Sequence, residues 1–275
     1  GEDATLDLFK LLQAIPDQSL LIIDEVEASL HPSAQRRLIQ YLLKLTRIKK
    51  IQVILSTHSA HVLDEIPPEG RIMLVQMQNG KDILYGISTR FALSSIDDYF
   101  HPELYVFVED EEAETIINEI LKMSDSTGRI LNRISIKPIG GFSVVDTVAK
   151  LIKENKLPYK GIAIVDGDKI NECSNCQIGL PGQKAPEKQV IEDLKAINWQ
   201  NLDGRFGIGA GILFQVLQEA VLEPDHHDWT TYIGNHIKQS KSYVWSVLVE
   251  EWCKQCLDTD ERERIYNAIV ESLNN

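Results

Sequence analysis

Three times in this chain a short apolar run stops abruptly at carboxylates. Leu20-Leu21-Ile22-Ile23 runs into Asp24-Glu25, Leu104–Val108 into Glu109-Asp110-Glu111-Glu112, and residues 161–165 into Asp166-Gly167-Asp168. An unbroken apolar run of this length reads as a strand buried on both faces, the usual condition of a parallel sheet. In open α/β sheets, ligands gather beyond the carboxyl ends of the strands. Each run therefore delivers its acids to a ligand crevice, and the chain is expected to be α/β.

The 275 residues include 43% hydrophobic ones, enough to bury a substantial core and to exclude disorder as the main state. No apolar run approaches the roughly 18–20 residues of a membrane span, and Gly1-Glu2-Asp3 is acidic where a secretory leader is basic. A soluble, cytoplasmic chain is expected. The net charge of −13 argues against coating nucleic acid by bulk attraction, yet a nuclease can gather carboxylates around metal ions while local lysines meet phosphate. Cysteines come as two CxxC pairs, Cys173/Cys176 and Cys253/Cys256. Their wide separation disfavours a shared zinc, and ordinary reduced thiols are expected.

In the first hundred residues, Asp24 and Glu25 supply what phosphoryl transfer needs: one carboxylate for hydrated Mg²⁺ and one to orient the attacking water. A turn at Glu27-Ala28-Ser29-Leu30-His31-Pro32 leads to an amphipathic helix over about 33–46, with Leu38, Tyr41, Leu42 and Leu45 at helical spacing. A second strand, 51–55, closes on Ser56-Thr57-His58-Ser59. This succession resembles the second half of an ABC-type ATPase head. The resemblance makes Asp24 the Walker B aspartate, Glu25 the catalytic glutamate, residues 27–32 the D-loop and His58 the switch histidine. Gly1-Glu2 match the end of an SxGE signature. No G-x-x-x-x-G-K-[S/T] is present, since Asn79-Gly80-Lys81 lacks the leading glycine and the Ser/Thr. ATP binding is accordingly expected only together with an N-terminal lobe, of which this chain reads as the C-terminal continuation.

Farther along, the order is strand–Glu109–helix, strand–Gly140-Gly141–helix, strand–Asp166-Gly167-Asp168. Acids in a helical first turn complement the helix dipole, which accounts for Glu111, Glu112 and Glu114 but less well for Glu109. A lone Asp-Gly-Asp is most simply a turn; three such loops at one sheet edge favour a cation site. The pattern resembles the Toprim fold, with Glu109 as its glutamate and Asp166 and Asp168 as its DxD pair. Joined to the ATPase-like half, it resembles the OLD (overcoming lysogenisation defect) family of ATPase–Toprim nucleases, which includes effectors of Gabija and some retron antiphage systems.

That resemblance implies two Mg²⁺ or Mn²⁺ ions, ATP in the complete protein, cleavage of DNA or RNA with DNA favoured, and paired or higher homo-oligomers. It also implies a defence-system partner, helicase-like or a reverse transcriptase with its non-coding RNA. Ala113 stands where many members carry an acid, so Asp110 or Glu112 is the substitute ligand. Glu187, in the first turn after Pro186, is balanced between dipole partner and second-metal ligand. Lys238 and Lys241 are the candidate phosphate-neutralising lysines, with Lys169 and Lys188 behind them.

Residues 208–275 read as helices over 212–222, 230–238, 243–256 and 261–273, the last opened by Asp258 and Glu261. Trp229, Trp245 and Trp252 are expected in the core, and Asp225-His226-His227-Asp228 as a solvated loop, because adjacent residues seldom converge on one ion. Three segments follow: 1–100 as the C-terminal part of an ABC-type ATPase, 101–207 as a Toprim domain (a parallel sheet flanked by helices), and 208–275 as a helical extension. A metal-dependent endonuclease is the leading function. A regulatory ATPase-head scaffold with a degenerate Toprim site, or a Toprim ribonuclease, is the alternative.

Overall fold

The computed structural model describes residues 8–274 apart from 9, 29, 78–79, 95–98 and 126–127. The SxGE-like Gly1-Glu2, Ser29 of the turn and Asn79 lie outside the described residues. Two compact units meet at His101/Pro102 in the sequence.

In the first unit, β1 (Leu20–Ile23) and β2 (Gln52–Leu55) pair in parallel, with Leu20 opposite Gln52 and Ile23 opposite Leu55. The crossover is α1 (Pro32–Lys49), capped by the His31 side chain. Pro32 suits the first turn, where its missing N–H is not needed, and Arg47 and Lys49 sit favourably at the negative end of the helix dipole. Leu38, Ile39, Leu42 and Leu45 turn one face of α1 onto Leu21, Val26, Ile51 and Val62. A short helix, α2 (Ala60–Glu65), is capped by Ser59. The antiparallel hairpin β3 (Ile72–Met77) and β4 (Gly80–Tyr85), which the sequence reading left unassigned, follows, and then α3 (Thr89–Leu93).

The second unit is built on a four-stranded, fully parallel sheet in the order β6-β5-β7-β8, comprising β5 (Leu104–Val108), β6 (Ile134–Pro138), β7 (Lys160–Val165) and the two-residue β8 (Ile178–Gly179). Both faces are covered. Leu104, Val106 and Val108 join a large core formed with α4 (Glu111–Ser124), whereas Phe107 joins Val145 and Ala149 of α5 (Phe142–Lys153) on the opposite face. Alternation along β5 thus feeds two cores, which is why the strand reads as wholly apolar. Each fully buried Ile, Leu or Val contributes about 1.5–3 kcal/mol relative to exposure.

After β8 come α6 (Pro186–Ala196), α7 (Ala210–Ala220), α8 (Trp229–Ile237), α9 (Lys241–Gln255) and α10 (Thr259–Asn274). Their apolar faces belong to the same core as α4, so residues 208–275 complete the second unit instead of standing beside it. Trp229, Trp245 and Trp252 are buried, and their indole N–H groups donate to Glu223 O, Glu112 O and Asp193 Oδ2 respectively. No helix among the described residues is long and apolar enough to cross a membrane.

Candidate functional site

The parallel register of β1 and β2 carries the two chain segments leaving them side by side. Ser56 Oγ donates to Asp24 Oδ1 and accepts from the Glu25 N–H at 2.9 Å. Thr57 Oγ1 donates to Glu27 Oε2 at 2.6 Å, and the His58 N–H donates to Glu27 Oε1 at 2.5 Å. Glu25 adopts φ 48°, a left-handed turn that breaks the strand immediately after the acid. Asp24, Glu25 and His58 are therefore gathered at one sheet edge, with Glu27 as the clasp. Glu27 belongs to the turn that the ATPase resemblance makes the D-loop; its part as clasp depends on a segment thirty residues away.

In the second unit the sheet order sets Glu109, after β5, between the ends of β6 and β7. The Glu109 Oε1 accepts from the Asp166 N–H at 3.1 Å, and the Glu109 carbonyl accepts from the Gly140 N–H at 3.0 Å. Gly140 has φ +102°, a conformation that favours glycine, so the paired glycines make this close approach feasible. Gly167 is required by packing: a Cβ there would stand 2.5 Å from Gly182 O. Asp168 is exposed and lies 3.8 Å from Lys169 Nζ.

These carboxylates repel one another in a poorly solvated corner. Burial, then Glu109, Asp110, Asp168 and Glu187, push Asp166 up to about 8. Burial is also the main cause at Asp110, raised to about 6. Asp166 Oδ1 is buried without a hydrogen-bond partner among the described residues. A buried acceptor left unmade costs roughly 1–3 kcal/mol, so a cation that neutralised and coordinated this corner would remove both penalties. The donor set is all oxygen, which suits Mg²⁺ or Mn²⁺.

The remaining sequence candidates fall into distinct places. Asp110 is the N-cap of α4, its carboxylate accepting from the Ala113 N–H at 2.9 Å, so this acid works as a helix cap as well as a member of the cluster. Glu112 holds Lys241 at 2.6 Å, and this pairing keeps the lysine charged although burial opposes it. Lys241 is thereby fixed beside the loop that carries Glu109. Lys238, by contrast, is exposed and closes α8 in a left-handed conformation. Glu187 is buried, and its Oε1 bonds His227 Nδ1 at 2.8 Å.

The histidine loop is solvated, with Asp225, His227 and Asp228 exposed, and His226, His227 and Glu187 present ligand-type atoms within 4.8 Å of one another. One expectation needs correction: the cysteines are not all reduced. Cys173 and Cys176 form a disulfide, the three-residue spacing bringing their Cα atoms to 5.5 Å, while Cys253 and Cys256 are free. Burial pushes the Cys253 thiol up to about 12, which leaves it an inert core residue at neutral pH.

Residues 7–64, which contain Asp24, Glu25 and His58, match the family described as "AAA domain, putative AbiEii toxin, Type IV TA system". The first unit is ATPase-like. Similarity to the methionine import ATP-binding protein MetN of Staphylococcus saprophyticus is 20% identity over 173 residues, covering 58% of this chain and 50% of that protein. The chain spans about half the length of this curated relative. An AAA-type, ABC-ATPase-like nucleotide-binding domain is thus present, and such domains use ATP with Mg²⁺.

Proposed function

We propose that the second unit is a metal-dependent endonuclease site of the Toprim type, joined to the ATPase-like unit as in the OLD family. The observation that carries this reading is the placement of Glu109, Asp166 and Asp168 at the carboxyl edge of one parallel sheet, with an Asp166 oxygen buried without a hydrogen-bond partner among the described residues. Glu109, Asp166 and Asp168 are the residues that would hold two Mg²⁺ or Mn²⁺ ions. Bound there, such ions lower the pKa of a coordinated water and stabilise the leaving oxygen of a phosphodiester. Lys241, held by Glu112, supplies positive charge for the phosphate during in-line displacement. Glu109 also accepts from the Asp166 backbone N–H, which ties the end of β5 to the end of β7.

In this reading DNA is the favoured substrate, the active species is a homodimer or larger homo-oligomer, and ATP turnover in the complete protein controls cutting during antiphage defence with a partner component. The test is cleavage of plasmid, single-stranded DNA and RNA with Mg²⁺ or Mn²⁺, with and without ATP. Asp166→Ala is expected to lose at least about 10²–10³-fold in rate, as for removal of a single electrostatic stabiliser. Cleavage that persists in this variant would remove the site. No cleavage of any substrate, with ATP still hydrolysed, would leave the scaffold alternative standing.

A further inference from the structure

We propose that Glu187, His226 and His227 form a second site, adjoining the carboxylate cluster of Asp166, for a borderline divalent cation, with Zn²⁺ the preferred ion. The local fold explains why two adjacent histidines converge here. Residues His226–Asp228 form one 3₁₀ turn, and the Asp225 carboxylate caps it by accepting from the His227 N–H at 3.0 Å. The turn brings the two imidazoles together, with ring centroids 4.0 Å apart. Pro186 opens α6 at its first turn and so fixes Glu187 opposite them.

The site is built and incompletely satisfied. Glu187 is 2% exposed. One of its oxygens meets His227; the other, Oε2, is buried with no hydrogen-bond partner among the described residues, and His226 Nε2 is in the same condition. A buried carboxylate acceptor and a buried imidazole nitrogen left without partners each cost roughly 1–3 kcal/mol. One cation satisfies both. Donors around a tetrahedral Zn²⁺ stand about 3.3 Å apart given ligand distances near 2.0 Å. The donor atoms of the three residues already lie within 4.8 Å of one another, and His227, 60% exposed, has room to rotate toward the other two.

Donor chemistry separates this site from its neighbour. Two imidazoles and one carboxylate suit Zn²⁺ and its transition-metal analogues, whereas Mg²⁺ prefers the all-oxygen set of Glu109, Asp166 and Asp168. Three protein ligands leave a fourth position for water, the arrangement of zinc sites that do chemistry rather than those that only brace a fold. This inference does not depend on the nuclease reading.

The experiment uses the full chain stripped with chelator, titrated with Zn²⁺ against a chromophoric competitor, and with Co²⁺ as a spectroscopic probe. One tight equivalent is expected, with the intense visible absorption of low-coordinate Co²⁺, resistant to excess Mg²⁺ and retained in Asp166→Ala. Glu187→Gln and His226→Gln should weaken Zn²⁺ by more than the roughly 10–100-fold that loss of an outer-shell partner causes. His227→Gln, at an exposed ring that does not hold the core, should weaken it comparably with an unchanged circular dichroism spectrum. Unchanged Zn²⁺ affinity in His227→Gln overturns the proposal, as does loss of the equivalent in Asp166→Ala or Cys253→Ser instead. Failure of DNA cleavage with Zn²⁺ still bound would remove the nuclease reading alone.

Discussion

β1 and β5 are both short apolar strands that end in acids, and they meet opposite surroundings. In β1, Leu20 is 54% and Ile22 69% exposed, and the partner strand leaves Ile54 59% exposed. In β5, Leu104, Val106 and Val108 are fully buried. The acids follow suit. Asp24 and Glu25 are exposed and tied to the hydroxyl of Ser56; Glu109 and Asp166 are packed among other carboxylates with few donors. An apolar strand stopped by acids therefore specifies a location at a sheet edge but not its electrostatics. Those depend on how many strands flank it and whether helices cover both faces.

The sharpest way to break this comparison is to shorten one side chain in each sheet. Ile164→Ala in β7 should cost about 2–5 kcal/mol in urea unfolding, since Ile164 is fully buried. Ile22→Ala should stay within about 0.5 kcal/mol, as exposed positions do. Equal losses would show that the face of β1 is covered in solution.

Next in size is Gly167→Ala, whose new methyl group would collide with Gly182 O. About 1–3 kcal/mol of destabilisation is expected, together with weakened divalent-ion binding, because the loop holding Asp166 and Asp168 must shift. An unchanged melting temperature and ion affinity would show that the loop yields freely.

The pH dependence follows from Asp166, whose carboxyl is raised from an ordinary 3.8 to about 8 in the metal-free fold. Over that window the folded state binds more protons than the unfolded chain. Stability of the chelated protein should therefore fall as pH rises from about 4 to 8, by on the order of 1–3 kcal/mol. Metal ions compete with that proton, so Mg²⁺ or Mn²⁺ affinity should rise over the same range and calorimetry in buffers of different ionisation enthalpy should detect proton release. Asp166→Asn should flatten the stability slope. A slope that survives in it would place the titration elsewhere.

The smallest effect belongs to the first unit. Ser56→Ala removes the hydroxyl shared by Asp24 and the Glu25 N–H and should cost about 1 kcal/mol, because both groups can turn to water. Metal binding by the second unit should not change. A loss there would reveal coupling between the two sets of acids.

Much of this architecture was legible residue by residue. Apolar runs located β1, β2, β5 and β7, and helical spacing located α1 to within a few residues, because burial period is a local property of the chain. Pro186 at the start of α6 and the acids closing β5 and β7 were readable for the same reason. The β3–β4 hairpin was less so: its strands are half exposed, and their mixed composition gives a weak alternation.

The sequence by itself determined which acids stand at strand ends, since only local order is needed to put Glu109, Asp166 and Asp168 there. Only the tertiary structure decided their company. Lys241 meets Glu112 because α9 packs on α4, and His227 meets Glu187 because a capped 3₁₀ turn lies against the start of α6. Those partners come from distant parts of the chain, and pairing across such separations is fixed by how helices fill a shared core, which no local pattern encodes.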